Sequence, residues 1–389
     1  MLADLVIKNG TLVPGGGMEL RGAGVVVQGE RIVAICATEE IPEAKWVIDA
    51  AGKFVVPGLI DTHVHTRAPG YEYKEDFETC SAAAAAGGIT TILAMFNVKP
   101  PTTSAEGCAN LAAHGNAHSL VNFNMYGLIT DRNLGEIARM ADLGISSFKF
   151  LMGYKYEPGA EDISAPADGP MLNAMRLIAE AGLPVAVHAE NDEILLHRRQ
   201  RLKAEGRRDP ATHLEARPNI AEEEAVSRLI LYSRRAGSRL HILHLSGREG
   251  AWLIRQAQRE GLPITAETCP HYLFLTSEEH VAKHGTLAKI NPPIRTITDQ
   301  ETLWECVRDG SIDVIGTDHA PQTDEEKMLR SPHADMWAAL SGFAGVETNI
   351  PLMLTAVNDG RLTLPRLVEI CSTNAARIFG LYPERGTLR

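Results

Sequence analysis

Eight short runs rich in aliphatic and β-branched residues follow one another along this chain, at 59–65, 89–95, 120–125, 145–151, 184–189, 239–245, 264–268 and 312–317. Longer stretches rich in alanine, glutamate or leucine, such as 77–86, 171–181 and 221–235, separate most of them. Strands that read as continuous apolar runs are buried on both faces, and their alternation with helices calls for a parallel sheet. Eight such units predict an α/β chain folded as a (β/α)8 TIM barrel. A doubly wound open sheet is the alternative, but no G-x-G-x-x-G fingerprint follows the first run, which also sets aside a dinucleotide-dependent oxidoreductase. Residues 1–56 differ: short strands at 5–7, 24–27 and 31–35 alternate with Asn9-Gly10, glycines 15–17 and Gly29-Glu30, all turn chemistry. This segment predicts the N-terminal part of a small β-sandwich domain, and 57–389 the barrel with its C-terminal helices.

The 389 residues suffice for a large domain and a smaller one. A net charge of −11 argues against nucleic acid or an anionic membrane as partner. No run approaches the roughly 20 apolar residues of a membrane span. Asp4 interrupts the first apolar run and no basic leader precedes it, so a signal peptide is not expected. Six cysteines are scattered with no C-x-x-C pair, which reads as reduced thiols in a cytoplasmic protein.

Chemistry collects at the ends of the runs. His63 and His65 are two apart, so both side chains lie on one face of a strand, and the preceding Leu59-Ile60 favours the barrel mouth. His188, His244 and Asp318 each end a later run. Functional groups of this fold gather at the C-terminal ends of several strands, and a carboxylate after an apolar strand needs a partner or a metal. Each residue singly has an ordinary reading, a histidine on a carbonyl or an aspartate on an arginine; five together point to divalent metal. His241, three residues before His244, is expected on the opposite side of the strand, in a structural role. Lys149 ends the fourth run. It either pairs with Asp318 or Glu190, or adds carbon dioxide to become a carbamate that bridges two metals. Two divalent cations with a carbamate, Asp318 and a bridging hydroxide leave the site slightly positive, which suits an oxyanion.

Pro57-Gly-Leu-Ile-Asp-Thr-His-Val-His, Phe148-Lys149, His188-Ala-Glu-Asn, His241-Ile-Leu-His-Leu-Ser, Thr268-Cys-Pro-His-Tyr-Leu, Asn291-Pro-Pro-Ile-Arg and Gly316-Thr-Asp-His-Ala-Pro together resemble the amidohydrolase superfamily, and within it the cyclic amidohydrolases: dihydroorotases, allantoinases, hydantoinases and dihydropyrimidinases. The resemblance runs over nearly the whole chain. It implies that His63, His65, Lys149 and Asp318 hold one metal and Lys149, His188 and His244 the other. It also implies that Asp318 takes a proton from the bridging water and delivers it to the leaving nitrogen. Zinc suits four histidines and oxygen ligands, with manganese, cobalt or iron as alternatives. Dimers and tetramers are common among such relatives, so a homo-oligomer is expected. A scaffold homologue that had lost catalysis would lack one of the six metal positions, and this chain has them all. Asp61 and Glu190 lie two residues from ligands and either support them from behind or sit on the rim.

The substrate is a cyclic amide or ureide, and the motifs divide over which one. Arg67, Pro69-Gly70, Lys74-Glu-Asp, Asn97 and Asn291-Pro-Pro resemble dihydroorotases, in which the arginine and asparagine hold the substrate carboxylate; Arg67 suits such a bidentate contact, or else pairs with Glu72 or Glu75. Gln322 departs from that family, which carries a histidine there. Lys149-Phe-Leu-Met-Gly-Tyr154 resembles hydantoinases, in which the tyrosine donates to the oxyanion, and Ala216-Arg-Pro218 resembles hydantoinases and allantoinases. His271 and His319 are candidates for supporting ligands or touching substrate, against a purely structural role. Arg67 and Asn97 bear on substrate charge, and the expectation is therefore a dihydroorotase-like enzyme, with a hydantoinase- or allantoinase-like ring opener as the alternative.

Overall fold

The computed structural model describes residues 2–157, 162–329 and 335–388. Six strands come first: β1 (Ala3–Lys8), β2 (Thr11–Leu12), β3 (Ala23–Gln28), β4 (Arg31–Ala37), β5 (Ala44–Asp49) and β6 (Phe54–Val55). Four of them form a sheet in the order β4-β3-β1-β5, and β2 pairs with β6. Alternation along β3 sends Val26 to one face, against Ala3 and Val6, and Val25 to the other, against Leu12 and Leu388. The last described residue thus returns to the first strands, and Leu388 N donates to Pro14 O at 3.2 Å.

The barrel strands are β7 (Leu59–Val64), β8 (Ile89–Ala94), β9 (Asn122–Leu128), β10 (Ser147–Leu151), β11 (Val185–His188), β12 (Leu240–Ile242), β13 (Ile264–Thr268) and β14 (Val314–Ile315). They lie side by side in chain order and pair in parallel. The ring is nearly closed, because β14 is short and meets β7 through a parallel bridge between Val64 and His319. There His65 N donates to His319 O at 2.8 Å, and His319 N to His63 O at 3.1 Å. Closure therefore joins the backbone of the His63-x-His65 segment to that of Asp318-His319.

Two strands differ from the apolar runs that predict them. The third starts at Asn122 because Leu120 N is taken by Ser81 Oγ and Ser119 Oγ donates to Val121 O; it then runs on through Gly127, where a Cβ would meet Ile145 and the Phe148 ring. The eighth stops at Ile315 because Gly316 lies flat against the Glu267 carboxylate, with no room for a side chain.

Helices cover the outside. Phe77–Ala86 begins in a capping box between Asp76 and Thr79, and Asn219–Ala236 ends at Gly237 in the left-handed region. Leu240 and Ile242 point outward into the layer between strands and helices. His241 points the other way, into the barrel interior, where its Nδ1 meets Thr265 Oγ1 at 2.8 Å and its ring sits 5.2 Å from Phe379. The expectation that His241 and His244 face opposite sides is thus corrected. Regular alternation ends with β12 at Ile242, and a φ of 36° at His244 turns that ring toward the same lumen. Among the described residues no helix is long and apolar enough to cross a membrane.

Candidate active site

β7 ends by presenting His63 and His65, and each ring is anchored through Nδ1. His63 Nδ1 lies 2.9 Å from Glu267 Oε1, and His65 Nδ1 lies 2.5 Å from Asn97 Oδ1. Both anchors accept, so Nδ1 carries the proton and Nε2 presents a lone pair. Both Nε2 atoms then lie 3.1 Å from one carboxylate oxygen, Asp318 Oδ1. Burial pushes the two imidazoles down to about 3, so they are neutral at ordinary pH. Two lone pairs and a carboxylate oxygen converging with no proton between them are satisfied by a cation. These three residues bring ligand atoms within 4.8 Å of one another.

The second cluster stands beside the first, with the His63 and His244 ring centroids 5.2 Å apart. His188 Nε2 is anchored on Glu190 Oε2 at 2.7 Å, and its Nδ1 faces His244 Nε2 at 2.9 Å. His244 Nδ1 is buried with no hydrogen-bond partner. Lys149 is 1% exposed and close enough for its charge to reach His63, His188 and His244. Burial pushes its amine down to about 7, and the nearby Asp318 and Glu267 carboxylates pull it the other way. No salt bridge joins it to Asp318 or Glu190 among the described residues. The six side chains expected to hold metal are thus all at one mouth of the barrel, and the donor set fits divalent cations.

Behind them, Asp61 is fully buried and not on a rim. Its carboxylate accepts from Thr317 N at 3.0 Å, Thr317 Oγ1 at 2.6 Å and His63 N at 3.1 Å, and burial raises it to about 6. Glu190 is buried too, also in contact with Arg217 Nη1; burial opposes its ionisation, and the guanidinium prevails, bringing it down to about 2. His319 is tied at both nitrogens, Nε2 to Glu75 Oε2 at 2.6 Å and Nδ1 accepting from Gly345 N at 3.0 Å, which braces the strand end that bears Asp318. His271 packs edge-on to Tyr272 and Phe343 with Nε2 unpartnered.

A cavity of about 540 Å³ opens in front of His65 and Asp318, lined also by Arg67, Asn97, Tyr154, Asn291 and Gln322. Arg67 is 7% exposed and its Nε has no partner. Neither rim carboxylate engages it: Glu72 Oε1 accepts from Gly70 N, and Glu75 holds His319. Asn291 Nδ2 donates to Tyr154 Oη at 2.9 Å, and burial raises that hydroxyl to about 12, so its proton is free to be donated into the cavity. Asn97 is occupied by His65, and Gln322 by Lys74 Nζ at 2.7 Å and Ser341 O at 2.9 Å.

Two residues of the site escaped the sequence reading. Glu267 holds His63 Nδ1, accepts from Thr62 Oγ1, and receives His244 N at 3.3 Å, so it serves both clusters. Its signal was present: Ile264 and Ala266 alternate outward along β13, which turns a carboxylate at 267 into the lumen. Arg217 stood only in a motif, and its contact with Glu190 spans loops that no spacing relates.

A parallel barrel whose strand ends bring imidazoles, a carboxylate and a buried lysine to one mouth is the layout of a metal-assisted hydrolase. The sequence profile of the amidohydrolase family matches residues 54–389. The chain is 38% identical to the L-hydantoinase of Paenarthrobacter aurescens, over 99% of this chain and 83% of that protein. It is 36% identical to the allantoinase of Rubrobacter xylanophilus, covering 98% and 82% of the two. It is also 36% identical to the dihydroorotase of Geobacter sulfurreducens, covering 99% and 87%. The solved L-hydantoinase (dihydropyrimidinase) from Arthrobacter aurescens superposes with a TM-score of 0.94 at 36% identity, over all of this chain and 85% of that one. The chain belongs to the amidohydrolase family, and it is a hydrolase of cyclic amides.

Proposed function

We propose that this enzyme opens a six-membered cyclic amide bearing a carboxylate, in the manner of a dihydroorotase. The observation that carries the reading is Arg67, a buried guanidinium that lines the cavity near Asp318 and forms no salt bridge with a carboxylate among the described residues. A guanidinium in that state recognises a planar carboxylate through paired N–H donors.

His63, His65, Asp318 and a carbamate on Lys149 would hold one divalent metal, best zinc, and His188 and His244 with that carbamate the other. The pair would supply Lewis acidity and a water that deprotonates near neutral pH. The chain does the rest. Lys149, brought to about 7, has the free amine that addition of carbon dioxide requires. Asp318 accepts the proton of the attacking water and returns it to the ring nitrogen as the C–N bond breaks. Tyr154 donates a hydrogen bond from its hydroxyl to the carbonyl oxygen as negative charge develops there. Arg67 fixes the ring through its carboxylate, and Asn291 keeps Tyr154 oriented.

A second reading, an uncharged hydantoin or allantoin ring, is favoured by Tyr154 and by the names of several relatives. The same proposal makes the protein a cytoplasmic homo-oligomer, dimer or tetramer, in keeping with its six free cysteines, and divides it near residue 56 into small domain and barrel.

The test is to load the protein with zinc in bicarbonate and assay dihydroorotate, dihydrouracil, hydantoin and allantoin side by side. Turnover of dihydroorotate, with KM raised at least about tenfold by Arg67→Met, supports the first reading. Turnover confined to the uncharged rings overturns it in favour of the second.

A further inference from the structure

The structure assigns to Arg217 a role as positioning residue: one guanidinium that holds His188 and Tyr154 in register with each other. This rests on the cyclic-amide reading only for its kinetic arm.

Arg217 caps the helix Ala211–Ala216 and precedes the helix Asn219–Ala236, so two rigid elements fix its backbone. Its carbonyl also accepts from Arg295 Nη1. The side chain is 6% exposed and reaches three groups at once. Nη1 touches Glu190 Oε2, the same oxygen that lies 2.7 Å from His188 Nε2. Nη2 lies 3.6 Å from Glu157 Oε1. The guanidinium carbon lies 5.7 Å from the centroid of the Tyr154 ring, within cation–π range.

Each contact has a consequence at the site. Glu190 orients His188, whose Nδ1 is the atom turned toward His244. Glu157 and Tyr154 belong to one loop, three residues apart, and Tyr154 stands edge-on to His188 with centroids 5.1 Å apart. Arg217 thus closes a ring of contacts running His188, Glu190, Arg217, Tyr154 and back to His188. Its planar fork engages Glu190 and Glu157 from two different nitrogens while its central carbon lies over the Tyr154 ring. Lysine, a single ammonium on a flexible stem, keeps the charge but cannot do all three. The sequence motif around this residue marks its presence and says nothing of this geometry.

The experiment compares Arg217→Lys, Tyr154→Phe and the double variant. The first readout needs no substrate: zinc binding titrated against a competing chelator. Arg217→Lys is expected to weaken one of two zinc ions by about 10- to 100-fold and leave the other unchanged. Equal affinity for both ions, or equal weakening of both, overturns the proposal. The second readout is kinetic, on whichever cyclic amide is turned over. Tyr154→Phe is expected to lower kcat by about 100-fold in the parent and by less than about threefold in the Arg217→Lys background, with KM little changed in either. The same fold-loss in both backgrounds overturns the proposal, as does a rise in KM without a fall in kcat, which would mean that Arg217 touches substrate. Absence of turnover on every ring would count against the proposed function and leave the zinc titration to decide the role of Arg217. Should Arg217→Lys fail to fold, Glu157→Gln weakens the Arg217 contact from outside the His188 cluster, together with the Glu157–Arg199 pair, for which Arg199→Gln is the control. Glu157→Gln must lower kcat and make Tyr154→Phe less costly beyond the control, and an unchanged kcat overturns the proposal.

Discussion

His63 Nδ1 and Glu267 Oε1 lie 2.9 Å apart across 204 residues of chain, joining the first barrel strand to the seventh. The same Oε1 receives His244 N, and Oε2 receives Thr62 Oγ1, so one buried carboxylate fixes the ring of one cluster and the backbone of the other. Replacing it with an amide would turn one of these acceptors into a donor. Glu267→Gln is expected to retain the fold and lose metal affinity by about 10- to 100-fold, as when the partner behind a ligating histidine is removed. Zinc stoichiometry after dialysis at graded chelator concentrations measures this, and retention equal to the parent would contradict it.

Lys149 is expected to take up carbon dioxide. Protein loaded with zinc in ¹³C-bicarbonate should show a carbamate carbon by NMR, absent from Lys149→Arg, whose guanidinium has no free amine to carboxylate. The variant should also lose turnover. Its spectrum matching the parent's would place the label elsewhere.

Metal removal should cost stability as well as activity. The converging lone pairs of His63 and His65 against Asp318 repel one another without a cation. Chelated protein is therefore expected to melt lower, and added zinc to restore the Tm in a concentration-dependent way. A melting curve that ignores zinc would argue that the cluster is content without it.

Asp313 gives a pH test away from the metal site. Burial raises its carboxyl from 3.8 to about 7 in the folded chain, despite hydrogen bonds from Ala266 N at 2.9 Å and Gln258 Nε2 at 3.2 Å. The folded state then binds the proton more tightly than the unfolded state between pH 4 and 7, so this group makes stability fall as pH rises through that window. Asp313→Asn keeps an acceptor for both donors and removes the titration. Its stability relative to the parent should improve from pH 5 to pH 8, by about 2–3 kcal/mol. Urea midpoints at the two pH values decide it, and an unchanged difference would refute the assignment.

Much of the barrel is legible in the sequence. Eight apolar runs marked eight strands because a parallel strand buried on both faces tolerates little else, and the alanine-rich stretch 77–86 marked a helix. The residues ending those runs were legible because a charged or imidazole group at the end of a buried run needs a reason to be there. The sequence does not show that Asn97, which lines the cavity, also has its carbonyl oxygen on His65 Nδ1. His241 was misread because alternation holds only inside regular strand, and β12 ends before His244.

The sequence by itself determined which side chains stand at the strand ends, since two-residue alternation fixes direction wherever a strand is regular. Tertiary closure decided which nitrogen of each imidazole is tied down and which faces its neighbours. It also decided that Arg67 forms no carboxylate salt bridge among the described residues while Arg217 has two carboxylates within reach. The reason is physical: direction along a strand is a local property of the backbone, whereas the partner of a buried charge comes from another strand or loop, and only packing brings the two together.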